Sequence, residues 1–196
     1  MEPSTSQVKG KVVFVGDASV GKTSLIYHYN QTKGNPLPTV GANSVPCTVP
    51  IEGKTVSLNI WDTAGQENFQ CLVPMFARCS NAAIIVYDST NKQSFDNIAL
   101  WYKYAIEESN VPNVIIVSNK SDLESVITAE EIHSMKEKYN CPLFFTSAIT
   151  GSNVDILFRE IAEIVDKEQS KDANRAIDQP INFSNKLDSD QKKKCC

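Results

Sequence analysis

The segment Gly16-Asp17-Ala18-Ser19-Val20-Gly21-Lys22-Thr23 sets a lysine and a hydroxyl directly after the second of two glycines. The pattern G-x-x-x-x-G-K-[ST] suits the capture of a polyphosphate, provided it follows a strand and opens a helix. Such an anion needs many donors close together. A tight loop supplies successive backbone N–H groups, and the following helix adds the positive end of its dipole. Lys22 is placed to reach the β- and γ-phosphates, and the Thr23 hydroxyl to take a Mg²⁺ position, with Ser24 next in the helix.

Further along, Asp62-Thr63-Ala64-Gly65-Gln66-Glu67 begins where an alternating strand ends. An aspartate there, aimed at the phosphate loop, holds Mg²⁺ through water. Gly65 can offer its N–H to a third phosphate without steric cost, and the Gln66 amide can orient an attacking water by donating and accepting. Thr39, in a stretch with Gly34, Pro36, Pro38 and Gly41, can complete the metal shell and release when the third phosphate leaves.

Asn119-Lys120-Ser121-Asp122 follows a buried strand, at the end where ligands sit in α/β sheets. A carboxylate at Asp122 accepts from both N1–H and the 2-amino group of guanine, whereas adenine would leave it unpaired. The Lys120 stem can lie over the base plane. Thr146-Ser147-Ala148 follows the last strand, and the Ala148 N–H can donate to guanine O6. Three elements in order, each after a strand, point to GTP and GDP as ligands.

The elements that must position these residues are legible in the apolar runs. Val12–Val15, Ala82–Tyr87, Val114–Val117 and Leu143–Phe145 read as buried strands. Helices are predicted over Lys22–Asn30, Gln93–Glu108, Ala129–Tyr139 and Val154–Lys167, with Asn91 or Ser94, Thr128 and Asn153 as N-caps. Val56, Leu58 and Ile60 alternate with polar neighbours, and Ile51–Lys54 is a hairpin turn. Pro46 and Pro50 share a parity, which suits an edge strand whose outer side faces solvent. The expected fold is α/β: a P-loop NTPase with a six-stranded, mostly parallel sheet, one antiparallel edge strand and helices on both faces.

With 196 residues, 41% hydrophobic and 21% charged, the chain is expected to form one domain over residues 9–167. Residues 1–8 are expected to be disordered and 168–196 a flexible polar tail. The net charge of −4 argues against nucleic acid as a partner. The N-terminus shows no apolar stretch of a secretory signal, and the chain is expected in the cytosol. Cys47, Cys71, Cys79 and Cys141 have no zinc spacing and read as reduced thiols. The chain ends Lys192-Lys193-Lys194-Cys195-Cys196. This is not a C-a-a-X pattern, but two terminal thiols can carry two lipids, and two lipids anchor stably where one does not.

Together G-D-A-S-V-G-K-T, W-D-T-A-G-Q-E, N-K-S-D and T-S-A resemble the Ras superfamily of small GTPases. Trp61, Leu58-Asn59-Ile60, the segment from Pro74 to Asp88 and the terminal Cys-Cys narrow the resemblance to the Rab family of membrane-traffic GTPases. It implies GTP hydrolysis, slow without an activating protein. Gly16 to Ser24, Thr39, Gly65, Asn119, Lys120, Asp122, Ser147 and Ala148 would hold the nucleotide, and Thr23, Thr39 and Asp62 the Mg²⁺. Gln66 and Lys22 would be catalytic, and Cys195 and Cys196 geranylgeranylated. It further implies a monomer on the cytoplasmic face of an endomembrane, cycling with the cytosol. The implied partners are an exchange factor, a GTPase-activating protein, effectors, an escort protein and a GDP-dissociation inhibitor.

Four departures from that pattern stand out. The stretch from Lys22 to Thr39 is about two residues short by comparison with the pattern expected of a P-loop GTPase. No aromatic near Gly34 is placed to shield the base. Asn43 and Ser44 stand where an acid and a phenylalanine are common, leaving an incomplete trio with Trp61 and Phe76, and Asn68 replaces a common arginine. Two other classes compete with a hydrolytic switch. One is a GTP-binding module that scarcely hydrolyses. The other is a P-loop kinase, for which no acceptor-substrate lid is visible.

Overall fold

A computed structural model describes residues 8–65 and 67–177, with side chains given outside 67–69 and 171–177. Gln66, Cys195 and Cys196 therefore lie outside the described residues.

Six strands form one sheet in the order β2-β3-β1-β4-β5-β6. They are β1 Val8–Val15, β2 Ala42–Ile51, β3 Lys54–Thr63, β4 Ala82–Asp88, β5 Val114–Asn119 and β6 Leu143–Phe145. β2 pairs antiparallel to β3, and the other neighbours run parallel. The expected antiparallel edge is thus present, and Pro46 and Pro50 lie on that edge strand opposite Asn59 and Thr55.

The period-2 geometry of strands sends alternate residues to opposite faces, and both faces here are covered. Val12 and Phe14, Ile84 and Val86, and Ile115 and Val117 join one core with α1 (Lys22–Tyr29) and α6 (Val154–Ile177). Val13 and Val15, Ile85 and Tyr87, and Val114 and Ile116 join the other. That second core is closed by α2 (Val73–Ala77), α3 (Lys92–Asp96), α4 (Ile98–Ile106) and α5 (Ala129–Tyr139). Within the first core Phe158 of α6 stacks on Tyr29 of α1, ring centroids 4.0 Å apart.

Local signals account for most boundaries. Asn91 starts α3 by accepting from the N–H groups of Gln93 and Ser94. Thr128 and Glu131 form a reciprocal capping box at α5, which satisfies two helix-end donors at once. Asn153 differs: it takes a left-handed φ of 56° and its amide donates to the Phe145 carbonyl.

Two expected helices differ in extent. The single helix over Gln93–Glu108 is broken at Asn97 into α3 and α4. The last helix continues ten residues past Lys167 to Ile177, through 168–177 that the sequence assigned to the tail. A salt bridge from Lys54 to Asp166 (2.6 Å) ties this helix to the β2–β3 hairpin.

β1 lies between β3 and β4, so successive connections leave it to opposite sides of the sheet. In open α/β sheets such a switch point opens a crevice at the carboxyl ends of the strands. The phosphate loop begins there, one residue after Val15, and Asp62 lies in register with Phe14.

Candidate functional site

Residues 16–21 leave the end of β1 and turn into α1. Gly16 and Gly21 hold φ of 140° and 99°, conformations that L side chains rarely adopt. A Cβ on Gly16 would sit 2.1 Å from the Val86 carbonyl oxygen. Lys22 is buried, and its Nζ donates to the carbonyls of Gly16 and Asp17 at 2.7 Å each. The ammonium is thereby drawn across the mouth of the loop. Burial lowers the Lys22 pKa to about 8, and the nearby Asp62 and Asp17 only partly oppose this.

The three residues expected to hold a metal come together. Thr23 Oγ1 donates to Asp62 Oδ2 at 2.7 Å, Thr39 Oγ1 donates to the same oxygen at 3.2 Å, and the two hydroxyls are 3.1 Å apart. Asp62 is buried, and its Oδ1 has no hydrogen-bond partner. Burial raises its pKa, while Thr23 and Lys22 pull it back. A carboxylate with a spare buried oxygen beside two hydroxyls is an all-oxygen donor set, which fits a small hard dication. Among the described residues no three His, Cys, Asp or Glu cluster for a metal. The remaining ligands of such an ion would be phosphate and water.

Gly65 lies against the phosphate loop. A Cβ there would fall 2.2 Å from the Asp17 carbonyl carbon and 2.4 Å from the Ala18 nitrogen, so only glycine fits. The Ala64 N–H donates to the Gly41 carbonyl at 2.8 Å, joining the loop after Thr39 to the loop after Asp62. A cavity of about 410 Å³ opens between them, lined by Ser19, Lys22, Thr23, Thr39 and Gly65 among others. Ser24 and the Pro36-Leu37-Pro38 segment also border it.

The base-pocket residues adjoin this loop, with a division of labour the sequence does not reveal. Asn119 Nδ2 donates to the Val20 carbonyl at 2.8 Å, and its Oδ1 accepts from Ala148 N–H at 3.2 Å and Thr146 Oγ1 at 3.3 Å. Asn119 therefore ties the phosphate loop to the Thr146–Ala148 segment, and the Ala148 N–H expected to meet guanine O6 is directed at Asn119. Lys120 takes a left-handed φ of 64°, and its ammonium pairs with Asp88 at 2.6 Å. Burial works against ionised Asp88, but hydrogen bonds from Lys120 and Thr90 outweigh it and hold the carboxyl below its ordinary value. Buried Ser147 accepts from the Thr150 N–H. Asp122 is exposed and its carboxylate has no partner among the described residues, which leaves both oxygens able to accept.

The sequence reading gives Asp88 no role at the site, although its place at the end of a buried strand is visible. Two further residues were missed. Asn97 Nδ2 and Trp101 Nε1 each donate to the Asp17 carboxylate at 2.7 Å. No local pattern announces that contact, since the partners are 80 and 84 residues apart.

A family model described as the Ras family matches residues 11–167. Ras-related protein SEC4 of Saccharomyces cerevisiae is 34% identical over 171 residues, covering 85% of this chain and 79% of its own. Ras-related protein Rab-37 is 36% identical over 194 residues in both Mus musculus and Homo sapiens, covering 95% of this chain and 85% of its own. The chain is a Rab-type small GTPase of the Ras family.

As a small GTPase it is a GTP hydrolase that binds guanine nucleotide, and its relatives place it in endomembrane traffic. The buried Lys22 of this GTPase has a consequence for pH. Because its folded pKa is depressed, the nucleotide-free protein binds fewer protons than the unfolded chain between about pH 8 and 10.5. This group therefore adds stability as pH rises through that window, and the contribution is lost as pH falls back through about 8. Phosphate selects the charged amine, so the sign for binding is reversed. Nucleotide affinity is expected to fall above pH of about 8, by up to roughly tenfold per unit. Calorimetric titration in buffers of different ionisation enthalpy should show proton uptake on binding at pH 9 and none at pH 6.5.

Proposed function

We propose that this small GTPase is a Mg²⁺-dependent switch that hydrolyses GTP slowly on its own and regulates membrane traffic from a lipid-anchored position. The observation that carries the switch is the convergence of Thr23, Thr39 and Asp62 beside the cavity. Thr39 belongs to the loop before β2, while Thr23 and Asp62 belong to the rigid sheet and helix frame. A γ-phosphate and Mg²⁺ give Thr39 and Gly65 something to hold, and hydrolysis removes it.

Mg²⁺, when bound by Thr23, Thr39 and by Asp62 through water, supplies positive charge to the phosphate oxygens. The chain's own residues do the rest. The Lys22 ammonium turns from the Gly16 and Asp17 carbonyls toward the β- and γ-phosphates. Loop N–H groups from Asp17 to Thr23 cradle the α- and β-phosphates. Asp122 accepts from the guanine edge, and the Lys120 stem, pinned by Asp88, lies beside the base. Gln66 orients the attacking water for in-line displacement. No arginine borders the cavity among the described residues. An activating protein would supply that charge, typically worth ~10³–10⁵ in rate. Single-turnover hydrolysis by wild type and Gln66→Leu tests this assignment. The variant should be at least ~10-fold slower with an activating protein, and equal rates with and without it would remove Gln66 from catalysis.

The loop before Thr39 presents Pro36, Leu37 and Pro38 to the cavity and no aromatic. Release of labelled GDP should accordingly be fast for this family, and a slow off-rate with Mg²⁺ present would contradict that. The Trp61–Phe76 stack, with centroids 5.4 Å apart, marks the surface for effectors, with Ser44 bonded to Asn59 at its edge. The other partners are the exchange factor, the escort protein and the dissociation inhibitor. Cys195 and Cys196 carry two prenyl groups on the cytoplasmic face, from which the protein cycles through the cytosol. Intact mass of the protein from its native cell decides this, and an unmodified terminus on membrane-bound protein would defeat it.

A further inference from the structure

Asp17 is the one carboxylate within the phosphate loop itself, where a polyanion is to be held. Left free, its charge would repel the phosphates. Its oxygens are instead each met by a donor from outside the loop, Asn97 Nδ2 on Oδ2 and Trp101 Nε1 on Oδ1, both at 2.7 Å. These donors are four residues apart and so lie on the same face one turn from each other. Asn97 also occupies the break between α3 and α4, with a ψ of −6°. The Gln93 amide donates to its Oδ1 at 3.1 Å, which fixes Nδ2 toward Asp17. Trp101 is fully buried, so its ring and the direction of its N–H are set by packing.

The main chain of Asp17 is used twice more. Its carbonyl accepts from Lys22 Nζ, and Gly65 packs on its carbonyl carbon and oxygen. One residue thus touches the phosphate-binding lysine, the glycine that meets the third phosphate, and a helix on the far side of the loop.

We propose that Asn97 and Trp101 are positioning residues of the nucleotide site, acting through Asp17. They keep its carboxylate turned toward α4 and fix the backbone on which Lys22 and Gly65 rest. Without them the carboxylate turns toward the phosphates and the Asp17–Ala18 peptide shifts against Gly65. Since Gly65 serves only the third phosphate, GTP suffers more than GDP. The inference rests on the reading of this loop as a guanine-nucleotide site.

The test uses the full chain with Mg²⁺, fluorescent GDP and a fluorescent non-hydrolysable GTP analogue. Asn97→Ala, at a half-buried position, should speed release of GDP by about threefold and of the GTP analogue by about tenfold, the weight of one hydrogen bond to a charged group. Trp101→Phe removes the N–H together with part of a buried ring, so it is read by the difference between the two nucleotides, and it should likewise speed release of the GTP analogue more than of GDP. Both effects should shrink below about twofold in an Asp17→Ala background, because the residue they act through is gone. General loosening of the fold would instead persist in that background and speed both nucleotides alike. Unchanged release in both single variants, equal effects on the two nucleotides, or full persistence with Asp17→Ala would each overturn the proposal. Wild type that binds neither nucleotide would overturn the underlying reading with it, whereas tight wild-type binding with silent variants would leave that reading standing.

Discussion

Replacing Lys22 with methionine is expected to weaken both GTP and GDP by about 10²–10³-fold, without unfolding the protein. The ammonium is buried in the mouth of the loop and already desolvated, so its interaction with phosphate is little screened. Truncating one partner of a buried, hydrogen-bonded charge pair costs about 2–5 kcal/mol, and each 1.4 kcal/mol is about tenfold in affinity. Without nucleotide the effect on stability is small, because two terms oppose. Methionine removes a group that burial penalises, but it leaves the Gly16 and Asp17 carbonyls without their donor. Thermal unfolding of the nucleotide-free variant should stay within a few degrees of wild type while equilibrium binding of labelled GDP collapses. Retained binding within tenfold of wild type would show that Lys22 is a structural bridge between two carbonyls and nothing more.

The second large effect concerns the base. Asp122→Ala should lower guanine over adenine selectivity by about 10³–10⁴-fold, since a dedicated hydrogen-bonding site discriminates on that scale. The carboxylate has no other duty in the described structure, being exposed and unpartnered, so its removal should leave stability nearly unchanged. Asn119→Ala provides the contrast. Its amide braces Val20, Thr146 and Ala148, so its loss should reduce stability and nucleotide affinity together. Competition of GTP and ATP against labelled GDP separates the two cases. If Asp122→Ala keeps the wild-type preference for guanine, selectivity comes from elsewhere.

These contrasts show where sequence suffices. The phosphate loop is legible because the requirement is local: two glycines in unusual conformations, a lysine and a hydroxyl at fixed offsets between a strand and a helix. The edge strand is legible for the same reason, since Pro46 and Pro50 cannot donate to an inner ladder. The helix ends at Asn91 and Thr128 follow from short-range capping. By contrast, Asn97, at the break between α3 and α4, bonds to Asp17 across 80 residues, and nothing near Asn97 reports that contact. Asp88 as the partner of Lys120, and the bonds of Asn119 to Val20, Thr146 and Ala148, are likewise tertiary facts. The extension of α6 to Ile177 was missed because residues 168–177 have too few apolar positions to suggest a packed helix. A helix emerging from a buried stretch needs no such face in every turn, since each added residue gains a hydrogen bond on an existing nucleus.

Convergence of Thr23, Thr39 and Asp62 is the feature on which the switch depends, and it makes a direct demand on the metal. The decisive measurement is release of labelled GDP from the full chain, followed with Mg²⁺ and again after a chelator is added, with excess unlabelled GTP or ATP as competitor. Release should accelerate by about tenfold or more on chelation, because in the GDP state Mg²⁺ would be held by Thr23 and, through water, by Asp62 beside the phosphates, and only GTP should prevent rebinding. Release indifferent to the chelator, or equal competition by ATP, would contradict the account.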